Sequence, residues 1–334
     1  VSLSRPTMND VASEAGVSLK TVSRVVNGVD TVDGDMASRV REAASKLGYR
    51  RNSAASNLKQ GVRAETVGLL IADLANPFYT MIASGVEEVA RERDALVVLS
   101  SSEGNPERER KALLDLCRRH VDGLLIVPTG ARLDYLIPEI ELGIQAVFVD
   151  RPAPSLDADA VLLDNRGGAQ QAIEFLAERG HRSIAVLLDS LGIFTMAERL
   201  TGAEETAGHA SRSLDLIVRT DVHTSAQARS ATAELLAEES PPTAVFAGNN
   251  RIALGAYQEI AHAGRAVDLC GFDRREAFDL VHGSVMLVDY DACEMGRAAA
   301  RLLFDRIDGS NGAGSVVSIP TVLRHAGLEI VASS

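Results

Sequence analysis

A short segment near the N-terminus carries side chains with the chemistry needed to contact DNA bases. In the run 11–28, VASEAGVSLKTVSRVVNG, apolar residues repeat at helical spacing on both sides of a glycine. The outer face of the second predicted helix then presents Leu19, Lys20, Thr21, Ser23 and Arg24. Two cations, two hydroxyls and an apolar group suited to a thymine methyl are side-chain types that read the major groove. The spacing therefore predicts a DNA-reading face.

Three predicted helices would position that face. The apolar stripes are Val11 and Ala15 on the first helix, Val22, Val25 and Val26 on the second, and Val40, Ala43, Ala44 and Leu47 on a third helix over 33–48. Gly16 lies where a tight turn needs positive φ. Ser18 is placed to cap the second helix, and Thr7 with Asp10 forms a capping box for the first. The pattern predicts a helix-turn-helix, with a solvated surface hairpin as the alternative.

The spaced word A-G-V-S-x-x-T-V-S-R-V-x-N-G resembles the headpiece of the LacI/GalR family of bacterial transcription regulators. The resemblance implies a DNA-binding domain over 1–50, with Thr7, Ser18 and Asn27 joining the five groove-facing residues. It also implies a hinge helix over 51–64 that orders on DNA, with Leu58 as a minor-groove wedge and Ala55 as the close contact between paired hinges. Read from its composition alone, the same polar segment is a flexible linker.

The headpiece departs from the family pattern at two places. Asp33 and Asp35 open the third helix, where the family commonly has hydroxyl and basic residues, so we expect repulsion from the DNA backbone there. Arg51 replaces the proline that usually precedes the hinge and is expected to restore a phosphate contact. Altered positioning on DNA is therefore expected, without loss of binding.

Charge and composition limit the classes of function. Residues 1–63 hold ten Lys and Arg against six Asp and Glu, a net charge of +4; because the whole chain carries −12, the remainder carries −16. A basic head on an acidic body fits phosphate contact at one end. Three isolated cysteines, no signal peptide and no long apolar span predict a reduced, cytoplasmic protein without membrane association. The histidines lack metal-ligand spacing and no nucleotide-binding or hydrolase motif is present, so neither cofactor nor enzymatic activity is expected.

From residue 67 onward, nine short apolar strands alternate with helical stretches, which is typical of parallel sheets built from βαβ units. Nine strands suit two doubly wound lobes. The family resemblance implies a periplasmic-binding-protein-like core over 65–334 in which the chain crosses between lobes near Asp164, Asp289 and Pro320. One lobe would take about 65–163 and 290–320, and the other about 164–289 and 321–332.

Polar residues follow several of these strands, where open α/β sheets bind ligands. They are Asp73, Ser101, Asp150, Asn249 and Asp273. Phe78 and Tyr79 open the next helix, and Arg199 starts an R-x-x-G element. Carboxylates, an amide and a guanidinium beside aromatic rings suit a polyhydroxylated ligand, although a single Asp at a strand end is more often a helix cap.

The resemblance places effector contacts at a subset of these positions, namely Phe78, Tyr79, Asp150, Arg199, Asn249 and Asp273. Where the family usually shows N-D, this chain has Asn249-Asn250, so a hydroxyl acceptor is expected to be lost. Tyr290 stands at a late cleft position often occupied by Gln, and Asp221-Val222-His223 replaces a frequent aromatic. A standard small-sugar specificity therefore cannot be transferred.

Together these features predict a homodimeric repressor of pseudo-palindromic operator DNA, controlled by a small sugar-like effector in the cleft. An activator or a corepressor-dependent regulator remains an alternative, because the sequence does not fix the sign of coupling. A sugar sensor that does not bind DNA is a further alternative, and residues 7–58 argue against it.

Overall fold

The computed structural model describes residues 6–26, 32–47, 49, 65–130, 132–153, 155–209, 214–273 and 285–326. The chain divides into two compact units, Val1–Ala64 and Glu65–Ser334. Each unit has its own hydrophobic core.

The described part of the first unit contains three helices, α1 (Met8–Ala15), α2 (Leu19–Val26) and α3 (Gly34–Leu47). Thr7 and Asp10 form the predicted capping box at the start of α1. Gly16 ends that helix at φ 62°, a left-handed conformation that favours glycine. The buried core consists of Val11, Ala15, Val22, Val40 and Ala43. The predicted apolar stripes thus form this core.

The second unit contains two six-stranded sheets. One holds β1 (Thr66–Ile71), β2 (Leu96–Ser101), β3 (Gly123–Ile126), β4 (Gln145–Val149), β5 (Asp159–Leu163) and β11 (Val316–Ile319). The other holds β6 (Ser183–Leu187), β7 (Asp215–Arg219), β8 (Ala244–Ala247), β9 (Asp268–Phe272), β10 (Val285–Asp289) and β12 (Val322–His325). The strand orders are β11-β5-β4-β3-β1-β2 and β12-β10-β9-β8-β6-β7.

Helices cover each sheet. The first lobe, defined by the first sheet, includes α4 (Pro77–Glu92), α5 (Pro106–Arg118), α6 (Ile137–Glu141) and α11 (Ala292–Ile307). The second lobe includes α7 (Asn165–Glu178), α8 (Phe194–His209), α9 (Ser225–Leu236) and α10 (Asn250–Ala263). All pairs among the described strands are parallel except β10 with β12. The predicted fold class, a helical headpiece with a two-lobed α/β core, is confirmed.

The chain passes between the lobes three times. It leaves the first sheet after β5 through Asp164, which caps α7 by accepting a hydrogen bond from the Gly167 amide at 2.9 Å. It returns between β10 and α11, and it crosses again between β11 and β12. The crossings bring polar groups from both lobes to one shared cleft.

The prediction of nine strands was too low, since the described residues form twelve. The missed strands are β5, β11 and β12. β11 and β12 lie at sheet edges with several exposed positions, so neither shows the continuous apolar run of a central strand. β5 was missed although it is mostly buried.

Close backbone packing joins α4 to α11. A Cβ built on Gly85 would lie 2.0 Å from the carbonyl oxygen of Cys293, and one on Gly296 would lie 2.1 Å from that of Ile82. Both positions therefore require glycine. Cys117, Cys270 and Cys293 are free thiols, and no described helix is long and apolar enough to cross a membrane.

Candidate functional site

The outer face of α2 presents the predicted base-reading side chains. Leu19 is 46% exposed despite being apolar, and Lys20 and Arg24 are exposed beside it. Thr21 and Ser23 are half-buried. Because Val22 is fully buried, the helix has its apolar side on the headpiece core and its cationic side in solvent.

Several hydroxyls predicted to contact DNA also cap helices. Thr7 Oγ1 accepts from the Asp10 amide at 3.4 Å and donates to Asp10 Oδ2 at 2.7 Å. Ser18 Oγ accepts from the Thr21 amide at 3.1 Å and lies 2.9 Å from Thr21 Oγ1. The predicted contacts at Asn27, Arg51, Ala55 and Leu58 lie outside the described residues.

One of the two carboxylates at the start of α3 caps the helix. Asp33 Oδ1 accepts hydrogen bonds from the amides of Asp35 at 3.1 Å and Met36 at 3.3 Å, so Asp33 is the helix cap. Asp33 therefore stabilises the start of α3, a role that the comparison with the family pattern did not indicate.

A cavity of about 620 Å³ opens beyond the carboxyl ends of strands from both sheets. All eight residues predicted to contact the effector line it, namely Asp73, Phe78, Tyr79, Asp150, Arg199, Asn249, Asp273 and Tyr290. Ser101 is not among the lining residues; its hydroxyl donates to the Ala72 carbonyl at 3.4 Å. This cavity is called the cleft below.

Arg199 is buried at the back of the cleft, with 4% of its surface exposed. Its Nε donates to Asn165 Oδ1 at 2.8 Å, and its Nη1 donates to the Gly248 carbonyl. The guanidinium carbon lies 3.7 Å from the centroid of the Phe272 ring. These contacts fix a planar cation in place before any ligand arrives.

Asp150 and Arg151 form a buried pair on the first lobe. Arg151 Nε lies 3.4 Å from Asp150 Oδ2, Nη1 donates to the Pro128 carbonyl at 3.0 Å, and Nη2 donates to Tyr79 Oη at 3.2 Å. Burial raises the pKa of Asp150 above its ordinary value, although Arg151 and Arg199 act against this. Asp150 also has φ 69°, a conformation that aspartate tolerates better than most residues.

Asp273 is held from two sides. Tyr290 Oη donates to Asp273 Oδ1, and the Asn250 side-chain amide donates to Oδ2 at 2.8 Å. The Asn250 backbone amide donates to the same oxygen at 3.2 Å. Asn250 and Tyr290, which both differ from the residues usual in the family, therefore both bind the Asp273 carboxylate. Burial, followed by the nearby Asp273 charge, raises the pKa of Tyr290 well above its ordinary value, so it remains a hydroxyl donor.

Further polar contacts join the lobes across the cleft. Arg251, at the start of α10, pairs with Asp73, which follows β1. Asn250 Nδ2 also lies 3.3 Å from Asn76 Oδ1, the cap of α4. Burial raises the pKa of Asp73, but its hydrogen bonds from Arg251 and the Ala75 amide outweigh that effect, and the net pKa is lowered.

Other lining residues were missed from the sequence. Asp189 Oδ1 accepts from His223 Nδ1 at 2.5 Å and from the Ser190 amide at 2.7 Å. Asp189 follows β6 and could have been found by the same strand-end rule that selected Asp150. Arg251 had no such signal, because a lone cation on a helix is usually solvated. His223 lies in the segment that matches a frequent cleft aromatic of the family, although its pairing with Asp189 was not predicted.

The cleft combines hydrogen-bond donors and acceptors with aromatic rings. Phe78 packs edge-on against Tyr79 and Tyr290, with centroids 4.9 Å and 5.8 Å apart. Such a wall suits the apolar face of a ring whose edge carries hydroxyl groups. Among the described residues, no group of His, Cys, Asp and Glu has the arrangement to hold a metal ion.

Two family models together match most of the chain. Residues 7–52 match the model described as bacterial regulatory proteins of the lacI family. Residues 64–326 match the model described as periplasmic binding proteins and sugar binding domain of the LacI family.

Curated relatives and solved structures agree with these models. The transcriptional regulator CelR of Thermobifida fusca is 34% identical over 319 residues, covering 91% of this chain and 93% of the relative. A CelR–cellobiose complex is 31% identical, with a TM-score of 0.70 over 96% of this chain and 99% of that one. The Lac repressor bound to ONPG in its repressed state is 25% identical, with a TM-score of 0.83 over 97% of this chain and 99% of that one. The chain belongs to the LacI family of bacterial regulatory proteins.

Proposed function

We propose that this protein is a homodimeric transcriptional repressor that releases operator DNA when a sugar-class effector occupies the cleft. The observation that carries the proposal is the presence, on one chain, of a cationic helix-turn-helix face and a polar cleft lined by both lobes. The relatives that match along nearly the whole chain are named transcriptional regulators, and one solved relative is a cellobiose complex. We propose that the protein acts by binding rather than catalysis, in the cytoplasm with the chromosome.

On the DNA side, Leu19, Lys20 and Arg24 of each headpiece would enter adjacent major-groove half-sites. Thr7, Ser18, Thr21, Ser23 and Asn27 would contact the backbone or neighbouring base edges. The headpiece would span 1–50 and the hinge 51–64, with Arg51 on a phosphate, Ala55 at the paired hinges and Leu58 in the minor groove. Arg24 is the residue to which we assign most of the sequence discrimination.

On the effector side, ring hydroxyls would bond to Asp150, Arg199 and Asn249, and the apolar ring face would lie on Phe78. Tyr79, Asp73, Asp273 and Tyr290 would complete the site. The first lobe would comprise about 65–163 and 290–320, and the second about 164–289 and 321–332. An effector that contacts both lobes would shift the populations of their alternative arrangements. Because effector binding and DNA binding are thermodynamically linked, that shift would change the affinity for DNA.

The test is an electrophoretic mobility shift on the DNA upstream of the protein's own gene, using wild type, Arg24→Ala and Arg229→Ala. Arg229 is a half-exposed arginine of α9 paired with Glu259, so its replacement controls for the loss of one positive charge. We expect wild type and Arg229→Ala to bind a discrete site and Arg24→Ala to lose discrimination over random DNA. Equal binding of all three proteins to random and upstream DNA would refute a role as a repressor of this site.

A further inference from the structure

A buried carboxylate outside the cleft interacts with a residue that lines it. Glu109, on α5, is fully buried. Both of its oxygens accept hydrogen bonds from Thr129, Oε2 from the backbone amide at 2.6 Å and Oε1 from the hydroxyl at 3.1 Å. Burial raises the pKa of Glu109 above its ordinary value, while the Thr129 hydrogen bonds and the charge of Arg151 act against this. Arg151 therefore favours the charged form of a carboxylate that burial penalises.

One peptide group bonds to both Glu109 and Arg151. It consists of the Pro128 carbonyl and the Thr129 amide. Its N–H donates to Glu109, and its oxygen accepts from Arg151 Nη1 at 3.0 Å. In a planar trans peptide the N–H and C=O bonds point in opposite directions, so the positive end of the peptide dipole faces the carboxylate and the negative end faces the guanidinium. Hydrogen bonds in such a chain polarise and strengthen one another.

The sheet does not supply partners for this peptide group. The ladder of β3 continues to Val127, whose amide donates to the Leu70 carbonyl at 2.9 Å. Pro128 is buried and has no amide hydrogen. Buried backbone beyond the end of a ladder must find its hydrogen bonds elsewhere. Here Glu109 supplies the acceptor and Arg151 supplies the donor.

Arg151 carries this arrangement into the cleft. Its Nη2 donates to Tyr79 Oη at 3.2 Å, and Tyr79, Asp150 and Arg151 all line the cavity. Arg151 Nε lies 3.4 Å from Asp150 Oδ2 but is buried and makes no hydrogen bond to any residue that the structure describes. The two Nη hydrogen bonds therefore fix the plane of the guanidinium, and one of them is the bond to the Pro128 carbonyl.

We propose that Glu109 is a positioning residue of the cleft, which holds Arg151 against Asp150 and Tyr79 through the Pro128–Thr129 peptide group. The negative charge of Glu109 is part of this role, because it polarises the peptide group that accepts from Arg151. Glu109 itself makes no contact with the effector. The inference rests on the proposed function, because effector affinity is one of its readouts.

Glu109→Gln separates the charge of this residue from its hydrogen bonds. A glutamine amide can accept from the Thr129 amide and donate to the Thr129 hydroxyl, so both bonds are kept while the charge is removed. Glu107→Gln removes an exposed carboxylate from the same helix and is the matched control. If Glu109 serves only to satisfy Thr129, Glu109→Gln should behave as wild type does.

The first measurement needs no ligand. Full-length protein labelled with ¹⁵N-threonine is compared by TROSY spectra, and the Thr129 amide signal is identified by its loss in Thr129→Ser. A strong hydrogen bond to a carboxylate moves an amide proton downfield. We expect the Thr129 signal to move upfield in Glu109→Gln and in Arg151→Gln, and to stay in place in Glu107→Gln. A signal that Arg151→Gln leaves unmoved would overturn the inference.

The second measurement is the affinity for cellobiose, glucose and ribose by isothermal titration calorimetry. Glu109→Gln should weaken the binding of any sugar that wild type binds by about 2- to 30-fold, the size typical of side chains that act through a packed network. In an Arg151→Gln background the same substitution should have little further effect, because the guanidinium on which it acts is gone. Unchanged affinity in Glu109→Gln, or its full effect in the Arg151→Gln background, would contradict the positioning role.

The two measurements separate this inference from the proposed function. If none of the sugars binds wild type, the proposed effector class is refuted, and the Thr129 signal still decides the inference. A sugar that releases the operator and binds Glu109→Gln as tightly as wild type supports the proposed function and refutes the positioning role.

Discussion

Replacing Arg199 with alanine is expected to destabilise the core as well as the ligand site. The substitution leaves Asn165 Oδ1 and the Gly248 carbonyl without their donor, and each unsatisfied buried acceptor costs about 1–3 kcal/mol. It also removes a guanidinium stacked 3.7 Å from the Phe272 centroid, a contact that contributes about 2 kcal/mol when desolvated. Since such terms are not additive, we expect a net loss of about 4 kcal/mol, the lower end of their sum.

Thermal unfolding followed by circular dichroism at 222 nm measures this loss. A destabilisation of about 4 kcal/mol corresponds to a melting temperature lower by about 10 °C in a domain of this size. The matched control is Arg166→Ala, which removes a half-exposed arginine paired with Glu205 and should cost less than about 1 kcal/mol. If the melting temperature of Arg199→Ala is as close to that of wild type as the melting temperature of Arg166→Ala is, the structural role of Arg199 is refuted. Ligand responses of Arg199 variants are therefore to be compared well below their melting temperatures.

The remaining predictions concern the headpiece, an acidic stabilising contact and helix packing. Arg24→Ala should weaken binding to the specific operator by about 1–3 kcal/mol more than binding to random DNA, measured by anisotropy; equal weakening would assign Arg24 to phosphate contact. The hydrogen bonds from Arg306 lower the pKa of buried Asp159 from 3.8 to about 2. At pH values above 3.8 this contact therefore stabilises the fold by about 2 kcal/mol, and the contribution is lost as the pH falls from about 5 toward 2. Urea unfolding across that range should show a shallower acid dependence in Asp159→Asn, and an unchanged slope would contradict the assignment. Gly85→Ala, whose Cβ would meet a backbone carbonyl of α11 at 2.0 Å, should cost about 2 kcal/mol or more in the same assay, while Gly208→Ala, with open space around it, should be neutral or slightly stabilising.

The headpiece was predictable because its signals are local. The capping box at Thr7 and Asp10, the left-handed turn at Gly16 and the apolar stripes each depend on residues a few positions apart. Asp33 shows the limit of that reasoning. The negative charge of Asp33 predicted repulsion from the DNA backbone, but the same side chain also caps α3.

The cleft was predictable where position at a strand end determines the site. Asp150 and Asp273 were found because parallel strands deliver their carboxyl ends to one edge. The role of Asn250 was not predictable, because it depends on a contact with a residue 23 positions later in the chain. In the sequence Asn250 appeared as a lost acceptor, whereas in the structure it is a donor that holds Asp273.

The contacts between lobes required the three-dimensional arrangement. Arg251 and Asp73 are 178 positions apart, and neither has a neighbour in sequence that indicates its partner. Edge strands such as β12 were missed for a related reason, since their pairing is set by the strand beside them and not by their own pattern.

The most direct test of the central claim, that the cleft controls DNA binding, is a measurement of linkage in both directions. The operator affinity of wild type is measured with and without a saturating sugar identified by calorimetry, and the affinity for that sugar is measured with and without saturating operator. Because linkage is reciprocal, both affinities should fall by the same factor, in the range of about 5- to 150-fold typical of coupled sites. A sugar that binds the cleft with the same affinity whether or not operator is present would contradict the account.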